Sequence, residues 1–405
     1  MKLSSLFKGY NIFLTGIFLY QVGYLLSWGI EMEALRPFVY IGPLLFIYGL
    51  IKNAKDINFK PVSLLYRILL ISFVVMWIRF DINGHNGGTV QDINGCGATI
   101  LFLIMPYNPY KFKLGSIIKY TIVLGIVGVI FSFAFYDKLL AANAYSDMSY
   151  SSNEKGATMS MAAVYCLINS SFFLCLFRNV TSKVRNTSVI LLVMSVMVAM
   201  IAGRRGYTVI GLIFLAEFYF LFVVLDKKKP FAWKIAIVAA IVYGAYMYYL
   251  GNADTQFQMF TARLETDSRS GVFYYWEKTM NKDIWNWIIG EGVSGGYWDG
   301  DFGFIRPNIE NGVRNCLMKG GLLYLVPYMG LSVQACYLAF FKSNSSFMKG
   351  LSIYIFTLLI FMFVWGTPSM SFFHLNLWIS YMWIFNRKMR RMTDEEINTT
   401  LYKKH

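Results

Sequence analysis

Long apolar runs separated by short polar gaps dominate the chain. A run of about 20 predominantly apolar residues is enough to cross a bilayer as a helix. Such runs lie at 10–29, 35–51, 63–80, 93–109, 114–136, 157–177, 187–203, 207–225, 231–250, 316–341, 350–366 and 369–386. They predict an all-α integral membrane protein of about 12 transmembrane helices. Gly95, Gly97 and Pro106 interrupt the fourth run, and the seventh and eighth can be drawn as one interrupted hairpin.

One long hydrophilic segment, 251–315, breaks the pattern. A loop of that length is uncommon unless it has structure or function of its own. Phe257, Phe260 and Leu264 recur at helical spacing within Thr255 to Thr266. Asp267 and Ser268 suit the cap of a second helix carrying Val272, Tyr275, Trp276 and Met280. A glycine-rich aromatic turn follows from Ile288 to Trp298. Four divisions result: 1–250 with nine spans, the loop domain 251–315, 316–386 with three spans, and a basic tail 387–405.

Composition agrees with the pattern. Of the 405 residues 57% are hydrophobic and 15% charged, against about 25% charged in soluble domains. The net charge of +15 would suggest nucleic acid in a soluble protein. Here the cations fill gaps between spans, as in Lys227-Lys228-Lys229, and no nucleic-acid-binding module is present. Such gaps orient a membrane protein and meet anionic lipids. With Lys2 and Lys8 cytoplasmic, every second gap is basic, and the alternate gaps are acidic or poor in Lys and Arg. Both termini are then inside and the 251–315 loop outside. The first run is too long, and lacks the cleavage site, for a removable signal. None of the five cysteines forms a CxxC or zinc spacing, so neither metal nor cofactor is expected.

Against this topology, Arg204 and Arg205 stand at the outer end of two apolar spans. Arginine there snorkels, pairs with a loop carboxylate, or holds an anion through its planar fork of donors. Arg263, Arg269, Arg306 and Arg314 lie in or next to the outward loop. Converging on one face, these cations suit a diphosphate. Nine acids share the loop, and Trp285, Trp287, Tyr297 and Trp298 can stack on sugar rings or anchor at the interface. Glu217 lies within the eighth span, either bonded to a tyrosine or functional.

Several short motifs then fall in a telling order. Gly203-Arg204-Arg205-Gly206 breaks a hydrophobic hairpin. Asp267-Ser268-Arg269-Ser270-Gly271 precedes Tyr275-Trp276. Ile288-Ile289-Gly290-Glu291-Gly292-Val293-Ser294-Gly295 forms the turn. Pro307-Asn308-Ile309-Glu310-Asn311-Gly312 leads to Lys319-Gly320-Gly321-Leu322. This series resembles the bacterial O-antigen polymerase and O-antigen ligase superfamily over 187–330. The resemblance implies a fold similar to the GT-C glycosyltransferases, in the bacterial inner membrane. It implies glycan transfer from an undecaprenyl-diphosphate carrier at the outer face, with arginines stabilising the leaving diphosphate. Arg204, Arg205, Arg269 and Arg314 would bind the diphosphate; Trp298, Tyr297, Asn311 and Arg306 would bind substrate. Besides membrane lipids, a chain-length regulator and a flippase are the implied partners.

One departure shifts the balance within that family. Its ligases place a histidine before the asparagine near the loop's end, where this chain has Glu310 before Asn311. That favours a polymerase of O-antigen, capsule or exopolysaccharide over a ligase. Glu310 and then Asp267 are the candidate proton acceptors. A transporter or flippase is the alternative of another class; it would carry an internal repeat and charges at mid-membrane.

Overall fold

The computed structural model describes residues 9–29, 33–60, 62–79, 100–139, 161–202, 204–221, 270–300, 303–309, 311–364, 366 and 368–402. The described chain is mostly helical. Its α-helices are α1 (Asn11–Gly29), α2 (Pro37–Lys52), α3 (Leu64–Ile78), α4 (Leu114–Ala134), α5 (Ser171–Cys175), α6 (Ser182–Ile201) and α7 (Arg205–Tyr219). Then come α8 (Ser270–Met280), α9 (Ile284–Ile289), α10 (Gly312–Phe341), α11 (Ser346–Val364), α12 (Phe372–Phe385), α13 (Arg387–Arg390) and α14 (Asp394–Tyr402). Strands β1 (Tyr297–Asp299) and β2 (Phe304–Arg306) form an antiparallel hairpin.

Among the described residues, four helices are long and apolar enough to cross a membrane: α4, α6, α10 and α11. Shorter apolar helices occupy Asn11–Ser27, Pro37–Lys52, Leu64–Ile78 and Met161–Cys175. Their outer faces are apolar as well. Val123, Ile126, Ile130 and Phe133 form an exposed stripe on α4, and Val326, Val333, Tyr337 and Phe340 one on α10. Water would not tolerate such stripes, whereas lipid chains cover them without cost. The chain is thus an all-α membrane protein in its described spans, with one small hairpin. The fourth apolar run behaves differently. Ile100–Ile104 and Pro109–Lys111 are 3-10 helices, and residues 93–99 of that run lie outside the described ones.

Two compact units divide the chain. The first comprises Met1–Ile51, Phe112–Thr266 and Asn398–His405. In it, glycines let helices approach closely. A Cβ on Gly16 would lie 2.6 Å from the Gly42 carbonyl, and one on Gly42 would meet the Gly16 carbonyl at the same distance. Helices α6 and α7 form the hairpin expected of the seventh and eighth runs. A Cβ on Gly211 of α7 would lie 2.6 Å from Val196 of α6. At the turn, the Arg204 amide donates to the Ala199 carbonyl at 2.7 Å, and the Arg204 carbonyl accepts from Thr208.

The second unit comprises Lys52–Lys111 and Asp267–Ile397. Helix α12 is its centre: every residue from Phe372 to Phe385 is buried. Trp378 packs against Phe102, Tyr328 and Tyr381, and the Trp383 indole donates to the Pro109 carbonyl. A wholly buried helix carries no polar stripe, consistent with the continuous apolar run seen there. Helix α10 is interrupted at Gly321, whose φ is 61°. Beyond the break, Leu322–Phe341 is long enough to span about 30 Å.

Candidate functional site

The site in the second unit is organised by that break. In a continuous helix the Met318 and Lys319 carbonyls would accept from the amides four residues on. The non-helical Gly321 disrupts the ladder, and freed carbonyls need other donors. The glycine turn supplies them. The Glu291 amide donates to the Met318 carbonyl at 2.7 Å and the Gly292 amide to the Lys319 carbonyl at 3.0 Å. The next amide, Val293, donates to the Met76 carbonyl at 3.2 Å, capping the end of α3.

Only glycine permits this wedge at three points. Gly290 (φ 68°) ends α9 and Gly292 (φ 89°) follows Glu291. A Cβ on Gly290 would lie 2.5 Å from the Gly320 nitrogen, and one on Gly292 2.6 Å from the Arg79 carbonyl. A Cβ on Gly321 would collide with the Ile288 backbone. Both the left-handed φ and the lack of space exclude side chains there. Lys319 closes the arrangement from the other side. Its side chain is fully buried, and Nζ donates to the Val293 carbonyl at 3.0 Å and the Gly295 carbonyl at 2.6 Å. Two carbonyl dipoles thus solvate an ammonium that burial would otherwise penalise.

Glu291 sits in the centre of the wedge, half-buried. Its Oε1 accepts from Asn286 Nδ2 at 3.3 Å, and Asn286 in turn donates to the Thr279 carbonyl of α8. Burial pushes the Glu291 carboxyl above its ordinary value; the Gly296 amide and the charges of Lys282, Arg79 and Lys319 oppose that shift. Among the described residues none of these three cations forms a salt bridge with it. Arg79 Nη1 is buried with no hydrogen-bond partner among the described residues.

Arg314 lies in the first turn of α10. Its guanidinium centre stands 3.4 Å from the Phe273 ring centroid and 5.4 Å from that of Trp276. No carboxylate among the described residues pairs with it. Stacking holds the guanidinium by its face and leaves its N–H edge for an anion.

The other sequence candidates have different fates. Asn311 is a helix cap: its Oδ1 accepts from the Arg314 amide at 3.0 Å, and its Nδ2 donates to the Phe363 carbonyl at 2.8 Å. Arg306 pairs with buried Asp299, Nε to Oδ2 2.8 Å. The register places Asp299 opposite Phe304, so Arg306 is its diagonal neighbour on the hairpin. Arg306 is therefore occupied within the hairpin. Tyr297 is fully buried, so it does not present a ring to a sugar; Trp298, 52% exposed, does. Helix α8 matches the second expected loop helix, ending at Met280 as read. Arg204 and Arg205 belong to the first unit, at the α6–α7 turn. Asp267, Arg269, Glu310 and the helix expected from Thr255 lie outside the described residues. His374, one of three histidines, is buried at the start of α12, its Nδ1 3.1 Å from both Ser369 and Ser371 hydroxyls.

Sequence reasoning did not single out Arg79, Lys282, Lys319 or Glu291 as site residues. A signal existed for two of them. Gly290-Glu291-Gly292 and Lys319-Gly320-Gly321 each set a charge beside glycines in apolar surroundings. Arg79 and Lys282 carry no such mark. No family model matches this chain, and no curated protein and no solved structure does either.

Proposed function

We propose that this protein is a bacterial inner-membrane glycosyltransferase. It joins undecaprenyl-diphosphate-linked oligosaccharide units into O-antigen, capsule or exopolysaccharide at the outer face, as a polymerase. The observation that carries the reading is the guanidinium of Arg314 in the first turn of α10, stacked on Phe273 and Trp276 and without a carboxylate partner among the described residues; this reading takes that end of α10 as the outer one. A diphosphate leaving group develops negative charge, and a pre-positioned guanidinium stabilises it without a metal. Arg204, Arg205 and Arg269 remain the further diphosphate-binding candidates of this reading. Trp298 offers a sugar-stacking face. The GT-C-like arrangement of about 12 spans, with both termini cytoplasmic, belongs to the same proposal.

Deleting the gene from a Gram-negative host and running a polysaccharide gel tests it. Lipid A-core bearing a single repeat unit marks a polymerase. Bare core with long glycan accumulating on the carrier marks a ligase instead. Unchanged long chains overturn the transferase reading and favour a transporter.

A further inference from the structure

Within the wedge, one half-buried carboxylate is held by neutral donors and forms no salt bridge among the described residues. The loop acids the structure describes are Glu277, Asp283, Glu291 and Asp299. Asp283 caps α9 by accepting the Trp285 amide at 3.1 Å. Asp299 is locked to Arg306. Glu277 is exposed on α8. Glu291 alone is half-buried, lacks a salt bridge, and sits on backbone fixed by amide bonds at three successive residues.

We propose that Glu291 is the proton acceptor of the glycan transfer, in place of Glu310 or Asp267; this rests on the transferase reading above. The acceptor sugar's hydroxyl oxygen attacks the anomeric carbon of the carrier-linked glycan. The bond from that carbon to the diphosphate oxygen breaks, and its electron pair leaves with the diphosphate. The hydroxyl proton passes to Glu291 and from there to solvent. Two features fit the task. Among the described residues the carboxylate accepts hydrogen bonds from Asn286 Nδ2 and the Gly296 amide, both neutral donors, and no cation is bonded to it to hold it ionised. The charged groups facing it are Arg79 from the end of α3, Lys282 from the turn after α8 and Lys319 from α10. Not being bonded to it, these cations remain to attract an anionic donor. Burial and positive charge act on the carboxyl in opposite directions, which tunes a general base between the two protonation states.

The test uses the full-length protein in nanodiscs, with the undecaprenyl-diphosphate-linked repeat unit purified from its host. Single-turnover rates are followed across the acid and neutral range, with donor binding and thermal melting measured alongside. Glu291→Gln is expected to lose about 10²–10⁴-fold in rate, the span usual for general-base removal, while still binding donor. Its residual rate no longer climbs with pH. A Gln variant with wild-type rate and wild-type pH profile overturns the role of Glu291 and leaves the transferase reading standing. Wild-type protein that consumes no donor overturns both. Should the Gln variant melt early, Glu291→Asp decides: a displaced pH profile supports the role, and an unmoved one overturns it.

Discussion

Two turns in this molecule carry charge between apolar helices, and they are built in opposite ways. The α6–α7 turn at Arg204 is local. Its hydrogen bonds join residues within five positions of each other, Ala199 to Arg204 and Arg204 to Thr208. The wedge at Glu291 is non-local. Its three amides reach Met318, Lys319 and Met76, and a lysine from α10 reaches back to it. A local turn survives changes to its neighbours because helix propagation re-forms it. A wedge whose partners come from α3, α9 and α10 fails when any one partner is lost.

That contrast orders the expected effects of mutation. The largest is at Gly321→Ala, which combines a left-handed φ with collision against Ile288. Strain of this kind costs about 1–3 kcal/mol before any displacement of backbone is counted. The detergent-solubilised protein should melt well below wild type, or fail to accumulate. Asp299→Asn comes next. Leaving Arg306 without its buried partner should cost about 3 kcal/mol. Equal melting temperatures for this variant and wild type would show that the hairpin does not need the pair.

Lys319→Met should follow, with a loss of about 1–3 kcal/mol, because the Val293 and Gly295 carbonyls lose their donor. Removal of a buried charge offsets part of that loss. Hydrogen exchange at the turn is the sharper readout, and protection unchanged there would refute the lysine's role. A pH dependence comes with Glu291. Because burial raises its carboxyl in the folded state, the unfolded chain holds fewer protons between the ordinary glutamate value and the raised one. Stability contributed by this residue therefore falls as pH rises through that window, and Glu291→Gln should flatten the slope.

The smallest effect belongs to the local turn's own helices. Thr181 caps α6 by accepting the Val184 amide. Thr181→Ala should cost about 1 kcal/mol in melting experiments. If it proves as damaging as the wedge mutations, the local and non-local turns are not distinct in cooperativity.

The parts legible in sequence follow this same line. Lipid-facing spans, the α6–α7 hairpin and the helix ending at Met280 depend on patterns read within one helix or one turn. The glycine turn was legible as a turn, but its purpose was not. Nothing near Ile288 in the sequence says that α10 will break at Gly321 and offer its carbonyls. Tyr297 shows the limit for single residues. Beside Trp298 it looked equally suited to a sugar, yet strand alternation buries one ring and exposes the other. Arg306 and Arg314 were also alike as loop-end cations. A buried aspartate claims the first, and two aromatic rings present the second.

The sequence by itself thus determined a membrane-spanning helical chain, because crossing a bilayer demands continuous apolar length and internally satisfied backbone. It also showed one long hydrophilic segment, 251–315, and which residue types gather in it. Only the tertiary structure decided which charges have structural duties and which stand unpaired. That choice depends on distances between residues remote in sequence, such as Arg79, Glu291 and Lys319, and no pattern along the chain encodes such distances.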